Sequence, residues 1–255
     1  MSDINTPIIS AENSPVISGL DFDENILKDM VQAGLIYGRI KSTTHPRMKP
    51  FIFGTRNNVD IIDLGKTIEG LERAIKFIKD VVARKGIILF VGTQPGANDN
   101  IFNLAKKLGY PFVTHRWLGG TLTNYNTINT RINYFKNLRD KEAAGALQKY
   151  TKKERVKFNK EISKLRLLFG GLEKLTQKPE AVIVINSTIH ETAIREARRM
   201  KIPTVALIST DQNPELIDYP IPGNDTSLSS ITWILQKIEE AILTAEVKTS
   251  LPISK

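Results

Sequence analysis

Three short apolar runs stand out in the hydrophobic pattern of the chain, at residues 87–91, 181–185 and 204–208. Continuous apolar runs of this length, rich in β-branched residues, are typical of strands buried on both faces of a parallel sheet. Apolar positions at helical spacing lie around them and predict helices over residues 67–85, 97–108, 191–200 and 227–247. Alternating strands and helices predict an α/β fold with a doubly wound, Rossmann- or flavodoxin-like parallel sheet.

Residues 126–170 break this alternation, because they contain no plausible strand. Two amphipathic patterns lie there instead, and Gly170 and Gly171 return the chain to the sheet. The apolar positions are Ile128, Ile132, Phe135 and Leu138 in the first pattern, and Phe158, Ile162, Leu165 and Phe169 in the second. The stretch is therefore predicted to be an antiparallel helical hairpin, or coiled coil.

These patterns predict the domain organisation. A parallel α/β domain is expected over residues 23–125 and 171–247, with the helical hairpin of residues 126–170 inserted into it. Residues 1–22 and 248–255 are predicted to be flexible tails.

The chain is basic, and its charge is unevenly placed. It carries 36 Lys and Arg against 27 Asp and Glu, a formal net charge of +9. Residues 131–178 alone hold 14 basic and 5 acidic side chains, and no acidic residue lies between Gly38 and Val59. A single basic run is often only a solvated face, but two separate basic blocks favour an anionic partner.

Five lysines recur at spacings of three or four residues along the predicted second helix of the hairpin. At about 100° per residue, they lie opposite the apolar positions of that helix. A row of lysines suits an RNA backbone, because compact charges on flexible stems neutralise phosphates without reading bases. The five are Lys149, Lys153, Lys157, Lys160 and Lys164.

Several classes of protein are excluded by what the sequence lacks. It contains no cysteine, which rules out disulfides, cysteine nucleophiles and cysteine-containing metal sites. No apolar run approaches the roughly 20 residues of a membrane-spanning helix. Residues 1–19 show no positive and apolar pattern of a secretory signal. We expect a cytoplasmic protein.

The α/β pattern leaves open a nucleotide-binding enzyme as an alternative. The turn at residues 92–97 opens a helix but matches neither the dinucleotide-binding nor the P-loop motif, so an ordinary helix start is favoured. His45, His115 and His190 are far apart and show no metal-ligand spacing. We therefore expect no catalytic site, metal or cofactor.

Seven segments, in order along the chain, resemble the bacterial-type small-subunit (30S) ribosomal protein S-two family. The most specific is the nonapeptide Arg-Trp-Leu-Gly-Gly-Thr-Leu-Thr-Asn at residues 116–124, where Trp117 is favoured as a core residue over a base-stacking one. The resemblance covers nearly the whole chain, from about Asp23 to about Val247. The other segments are residues 48–54, 61–64, 89–93, 147–154, 170–172 and 218–225.

The resemblance implies a function that the fold alone does not. It implies a non-enzymatic structural constituent of the small ribosomal subunit that binds small-subunit rRNA and supports assembly and translation, as a monomer within the ribosome. It also implies contact with other small-subunit proteins, including the large RNA-binding protein S-one, and no membrane partner. An RNA-binding protein working outside the ribosome remains a second alternative.

The candidate RNA-binding residues combine the two basic blocks with the cation of the nonapeptide. They are Arg39, His45, Arg47, Lys49, Arg56, Arg116, Lys149, Lys152, Lys153, Lys157, Lys160 and Lys164.

The chain departs from the family pattern at three places. Arg39 stands where the family commonly has histidine, and residues 44–46 read Thr-His-Pro where Trp-Asn-Pro is common. Gln94 stands where a Lys or Arg commonly follows Gly-Thr. Contacts made by the missing side chains are not expected here, whereas Arg39 supplies another cation.

Overall fold

The three predicted runs form the centre of a five-stranded parallel sheet. The computed structural model describes residues 24–250, and side chains as far as residue 247, so the predicted N-terminal tail and residues 251–255 lie outside it. The strands in chain order are β1 (Tyr37–Ile40), β2 (Ile52–Arg56), β3 (Val59–Ile62), β4 (Ile88–Val91), β5 (Phe112–Val113), β6 (Ala181–Ile185), β7 (Thr204–Ile208) and β8 (Tyr219–Pro222). The parallel sheet has the order β5-β4-β6-β7-β8, which confirms the doubly wound fold class.

Seven helices surround the sheet within the described residues. They are α1 (Glu24–Gln32), α2 (Leu64–Ala83), α3 (Pro95–Leu108), α4 (Tyr125–Ala143), α5 (Lys152–Phe169), α6 (Glu191–Arg199) and α7 (Leu228–Ser250). Two begin earlier than the apolar spacing predicts: Asp63 caps α2 by accepting from the Gly65 amide at 2.9 Å, and Pro95 opens α3. None of the helices in residues 24–250 is both long and apolar enough to cross a membrane.

Alternate residues of the central strands face two separate hydrophobic clusters. In β4, Ile88 and Phe90 pack with residues of α2, α3 and α7, whereas Leu89 and Val91 pack with residues of α4, α5 and α6. The whole of β4 is buried, as a strand covered by helices on both faces must be. Helices α4 and α5 therefore share one cluster with the second face of the sheet.

The structure adds a second sheet that the sequence analysis missed. Strands β1, β3 and β2 form this antiparallel sheet within residues 37–62. Short 3-10 turns at Lys41–Thr43 and Pro46–Phe51 connect its first two strands. The strands are only four or five residues long and their apolar alternation is broken by bulges, which hides them from pattern analysis.

Candidate RNA-binding surface

The first turn of α5 explains where the row of lysines begins. Thr151 and Glu154 form a capping box: the Thr151 amide donates to Glu154 Oε2 at 3.0 Å, and the Glu154 amide donates to Thr151 Oγ1 at 3.4 Å. The helix therefore starts at Lys152. Lys149 lies before it in a 3-10 turn (Ala146–Lys149), so the prediction that Lys149 belongs to this helix was wrong.

Four of the predicted lysines do share one exposed face of α5, and we call them the lysine row: Lys153, Lys157, Lys160 and Lys164. At about 100° per residue they fall within an arc of about 60°. The opposite face carries Ile162 and Phe169, which are both buried. Within the described residues, no member of the row forms an ion pair, and Lys152 and Lys149 are also exposed.

The two acidic residues of α5 are held by other partners. Hydrogen bonds from the Thr151 backbone and side chain lower the pKa of Glu154. Glu161 accepts a hydrogen bond from the Tyr134 hydroxyl of α4 at 3.0 Å. Lys157 adds a smaller attraction that also lowers the pKa of Glu154, but no lysine of the row forms an ion pair within the described residues. Their ammonium groups are therefore open to solvent or to an anionic partner.

Hydrogen bonds and apolar contacts join α4 to α5 and to the parallel sheet. Ile132 and Phe135 of α4 lie in one cluster with Ile162 of α5. Arg139 Nη1 donates to both carboxylate oxygens of Glu173 at 2.7 Å, which ties α4 to the segment after α5. The two predicted amphipathic helices are thus present, while their antiparallel direction and the limits of the insertion remain predictions.

In the first basic block, between Gly38 and Val59, some side chains are bound to other protein groups and others form no ion pair within the residues that the structure describes. Arg47 forms an ion pair with Glu215, and the His45 side chain accepts from the Arg47 amide at 3.2 Å to cap the 3-10 turn. Lys49 and Arg56 are exposed and form no ion pair within the described part of the chain. The free cations therefore lie in the turn and at the end of β2.

Arg39 faces inward, to a buried carboxylate. Its Nη2 donates to Asp225 Oδ1 at 3.1 Å, and its Nε lies 3.7 Å from Asp211 Oδ1. Burial raises the pKa of Asp225 to about 6, although Arg39 acts to lower it. Gln94 Nε2 donates to the Asp225 carbonyl oxygen, so two of the three departures from the family pattern meet at one residue. Arg39 is more a structural partner of Asp225 than a free cation.

The turn after β4 is already occupied by protein groups. The Thr93 amide, which a phosphate cradle would use, donates to His190 Nε2 at 3.2 Å. Burial lowers the pKa of His190 to about 4, so its imidazole is neutral at neutral pH. A Cβ on Gly92 would lie 2.4 Å from Ile101 Cδ1, which shows how closely the turn packs on α3. This geometry favours the ordinary helix start over nucleotide binding.

One carboxylate on α6 holds the nonapeptide loop, and the sequence analysis did not single it out. Glu196 accepts hydrogen bonds from Trp117 Nε1 at 3.1 Å and from the amides of Gly120, Leu122 and Thr123 at 2.8–3.2 Å. Burial acts to raise the pKa of Glu196, but these hydrogen bonds outweigh it and hold the pKa below its usual value. A buried glutamate in an otherwise amphipathic helix is visible only once the helix is packed.

The residues around the Glu196 carboxylate, in the nonapeptide loop and on α6, differ in exposure. Trp117 is half-buried against the cluster of the second sheet face, as favoured from the sequence, whereas Arg116 is exposed. On α6 and just after it, Arg198, Arg199 and Lys201 are also exposed. These three cations escaped the sequence analysis because residues 179–255 are acidic in sum. The described residues contain no cluster of three or more potential metal ligands.

Known proteins match this chain in sequence over almost its whole length. The family model of ribosomal protein S2 matches residues 30–245. The chain belongs to the ribosomal protein S2 family. This S2-family chain is 39% identical over 220 residues to the small ribosomal subunit protein uS2 of Dehalococcoides mccartyi, which covers 86% of the chain and 90% of the relative.

Two further relatives carry the same description, small ribosomal subunit protein uS2. The one from Francisella tularensis subspecies novicida is 40% identical over 222 residues, or 87% of the S2-family chain and 93% of the relative. The one from Rhodopirellula baltica is 38% identical over 224 residues, which are 88% of the S2-family chain and 86% of the relative. The match confirms the family that the seven segments indicate, and it runs from α1 into α7.

Proposed function

We propose that this S2-family chain is a structural constituent of the small ribosomal subunit and binds small-subunit rRNA through the lysine row of α5. The observation that carries the proposal is an exposed face of four lysines, none of which forms an ion pair within the described residues, on a member of this family. The names of its relatives place those proteins in the small subunit. The role is that of a binding and scaffolding protein rather than an enzyme, and it needs no cofactor.

The lysine row is suited to the backbone of RNA rather than to its bases. An ammonium group is a compact, strongly hydrated charge, and it neutralises a phosphate without selecting a sequence. Residues 153–164 rise about 16 Å along the helix axis. Such a face follows a phosphate backbone and gains affinity by releasing counterions. The exposed cations Lys49, Arg56 and Arg116 offer further phosphate contacts, with Lys149 and Lys152 extending the row at its start.

Protein neighbours complete the proposal. A chain of this family is proposed to work in the cytoplasm as a single copy within the ribosome, beside other small-subunit proteins and the large protein S-one. The resemblance supports these partners, and the exposed positions of the loop that Glu196 holds, Arg116 and Gly119 among them, form one surface available for them.

Sedimentation tests the ribosomal role directly. A tagged copy of the chain, expressed in its native host, is expected to travel chiefly with small subunits and whole ribosomes in a sucrose gradient. Treatment with EDTA, which separates the subunits, should move it entirely to the small-subunit fractions. A chain found mainly in the unbound fractions would instead support an RNA-binding protein outside the ribosome.

Substitution of the lysine row tests how the RNA is bound. Replacing Lys153, Lys157 and Lys160 together with glutamine should weaken binding to a full-length small-subunit rRNA transcript. Each lost phosphate contact is expected to lower the slope of log affinity against log salt by about 0.7–0.9, or by about 2–3 for the triple variant. Filter binding at several salt concentrations measures both quantities.

A charge-matched control separates the row from net charge. Lys66, Lys76 and Lys237 lie on α2 and α7, and their replacement with glutamine removes the same total charge. This control variant should keep nearly the wild-type slope. Equal slopes for the wild type and the variant of the lysine row would show that the row does not contact phosphate.

A further inference from the structure

An open groove of about 510 Å³ lies where α3, β5 and the end of α5 meet. It is continuous with the lysine row, because Leu167 in its wall follows Lys164 by one turn and lies on nearly the same side of α5. Its volume falls in the range of pockets that hold small organic groups. The residues that matter to its chemistry are Phe102, Phe112, His115, Arg139, Arg166 and Leu167.

The walls of the groove expose two large apolar side chains. Phe102 of α3 is 43% exposed and Leu167 of α5 is 61% exposed. Phe112 of β5 supports Phe102 from below, in an edge-to-face contact with ring centroids 5.4 Å apart. Single exposed apolar residues are common on protein surfaces, but two that line one groove indicate a binding site for a flat or apolar group.

The rim of the groove is positively charged. Arg166 and His115 are exposed, and neither forms an ion pair within the described residues. Lys106 lies over the Phe102 ring, with Nζ 5.6 Å from its centroid. Among the described residues, Glu173 is the carboxylate in the lining, and Arg139 neutralises it. An apolar floor with a cationic rim fits a group that joins an aromatic ring to a phosphate.

We propose that this groove holds one unpaired base of the small-subunit rRNA, stacked against Phe102 and Leu167. Arg166 and Lys106 then face the adjoining phosphate. Sequence-specific and structural RNA contacts commonly use unstacked bases held on aromatic side chains. A strand whose backbone follows the lysine row reaches the groove within one helical turn of Lys164. The inference rests on the proposed function and assigns a base-binding site beside the phosphate-binding face.

Two truncations test the groove with the full chain and the full-length rRNA transcript. Phe102→Ala and Leu167→Ala should each weaken RNA binding about 5- to 20-fold, at the lower end of the effect of losing a stacked base. Their salt slope should stay at the wild-type value, because no phosphate contact is removed. Arg166→Gln should weaken binding and also lower the slope by somewhat under one unit.

The matched control is Leu228→Ala, since Leu228 is 59% exposed and lies on α7, outside the groove. This variant should bind RNA as the wild type does. Chemical probing of the bound transcript gives an independent readout: one base should be protected by the wild type and the Leu228 variant and become reactive with the Phe102 variant. Circular dichroism spectra equal to wild type show that the variants are folded.

The outcomes separate the groove from the lysine row. If the variant of the lysine row loses affinity and slope while Phe102→Ala and Leu167→Ala change neither binding nor probing, the groove proposal is wrong and the proposed function stands. If the two truncations leave RNA binding intact but reduce incorporation into small subunits, the groove binds a protein neighbour and the proposal is overturned. If the wild type binds no rRNA, the proposed function itself fails.

Discussion

Replacing Glu196 with alanine is expected to lower the free energy of unfolding by about 3–5 kcal/mol. The substitution leaves the amides of Gly120, Leu122 and Thr123 and the indole of Trp117 without their acceptor. Each buried donor that loses its partner costs about 1–3 kcal/mol, although donors near the surface recover part of this from water. Urea unfolding followed by far-ultraviolet circular dichroism measures the change.

Two variants of α6 show whether the effect comes from these hydrogen bonds. Glu191→Ala removes an exposed glutamate of the same helix, whose only ion pair in the described chain is with Arg195, and should change stability by less than about 0.5 kcal/mol. Glu196→Gln keeps one acceptor but turns an amide group toward the remaining donors, so it should fall between the alanine variant and the wild type. An alanine variant as stable as Glu191→Ala would show that the loop does not depend on the carboxylate.

The pH dependence of stability gives a second signature of the Glu196 carboxylate. Its pKa is lowered in the folded chain, so its contribution is complete above the ordinary glutamate pKa and disappears as the pH falls through the folded value. The difference in unfolding free energy between wild type and Glu196→Ala should therefore be largest near neutral pH and shrink below about pH 4. A difference that stays constant down to pH 3 would contradict this assignment.

The parallel core was predictable because its signal is local. Ala181–Ile185 and Thr204–Ile208 are uninterrupted apolar strands, and their observed bounds match the predicted ones. β8 (Tyr219–Pro222) was not predicted, because two prolines in four residues read as a turn, yet prolines are tolerated on the edge strand that β8 forms. Strands buried on both faces are therefore predicted well from the sequence, whereas edge strands are not.

The candidate site was predictable only in part, because sequence gives the position of a charge but not its partner. Helical periodicity predicted that the lysines of the row share one face of α5, and in the structure that face is exposed. Arg39 was an equal candidate until the fold placed Asp225, 186 residues away in sequence, against its guanidinium group. Glu196 lies more than 70 residues from the amides it binds. Long-range pairing of this kind is set by the packing of whole elements and leaves no local pattern.

Two neighbouring glycines at the end of α5 should respond to alanine in opposite ways. A Cβ on Gly171 would lie 2.2 Å from the carbonyl oxygen of Phe112, which belongs to the backbone of β5. We expect Gly171→Ala to destabilise the chain by at least about 2 kcal/mol, because backbone on both sides must shift to relieve the overlap. Gly170 has an α-helical conformation and its Cβ would make only an ordinary 3.7 Å contact with Arg166, so Gly170→Ala should be neutral or stabilising by up to about 1 kcal/mol.

The same pair tests how closely the end of α5 is joined to the edge of the parallel sheet. Urea unfolding of both variants measures the two free energies, and hydrogen exchange at the Val113 amide reports on β5 itself. Faster exchange in Gly171→Ala alone would show that β5 has been displaced, since this strand is only two residues long and has a partner on one side. Equal stability of the two variants would mean that the Gly171 backbone does not approach β5 so closely. The lysine row and α5 would then be held by their apolar contacts with α4 and by the hydrogen bonds of Arg139 and Tyr134.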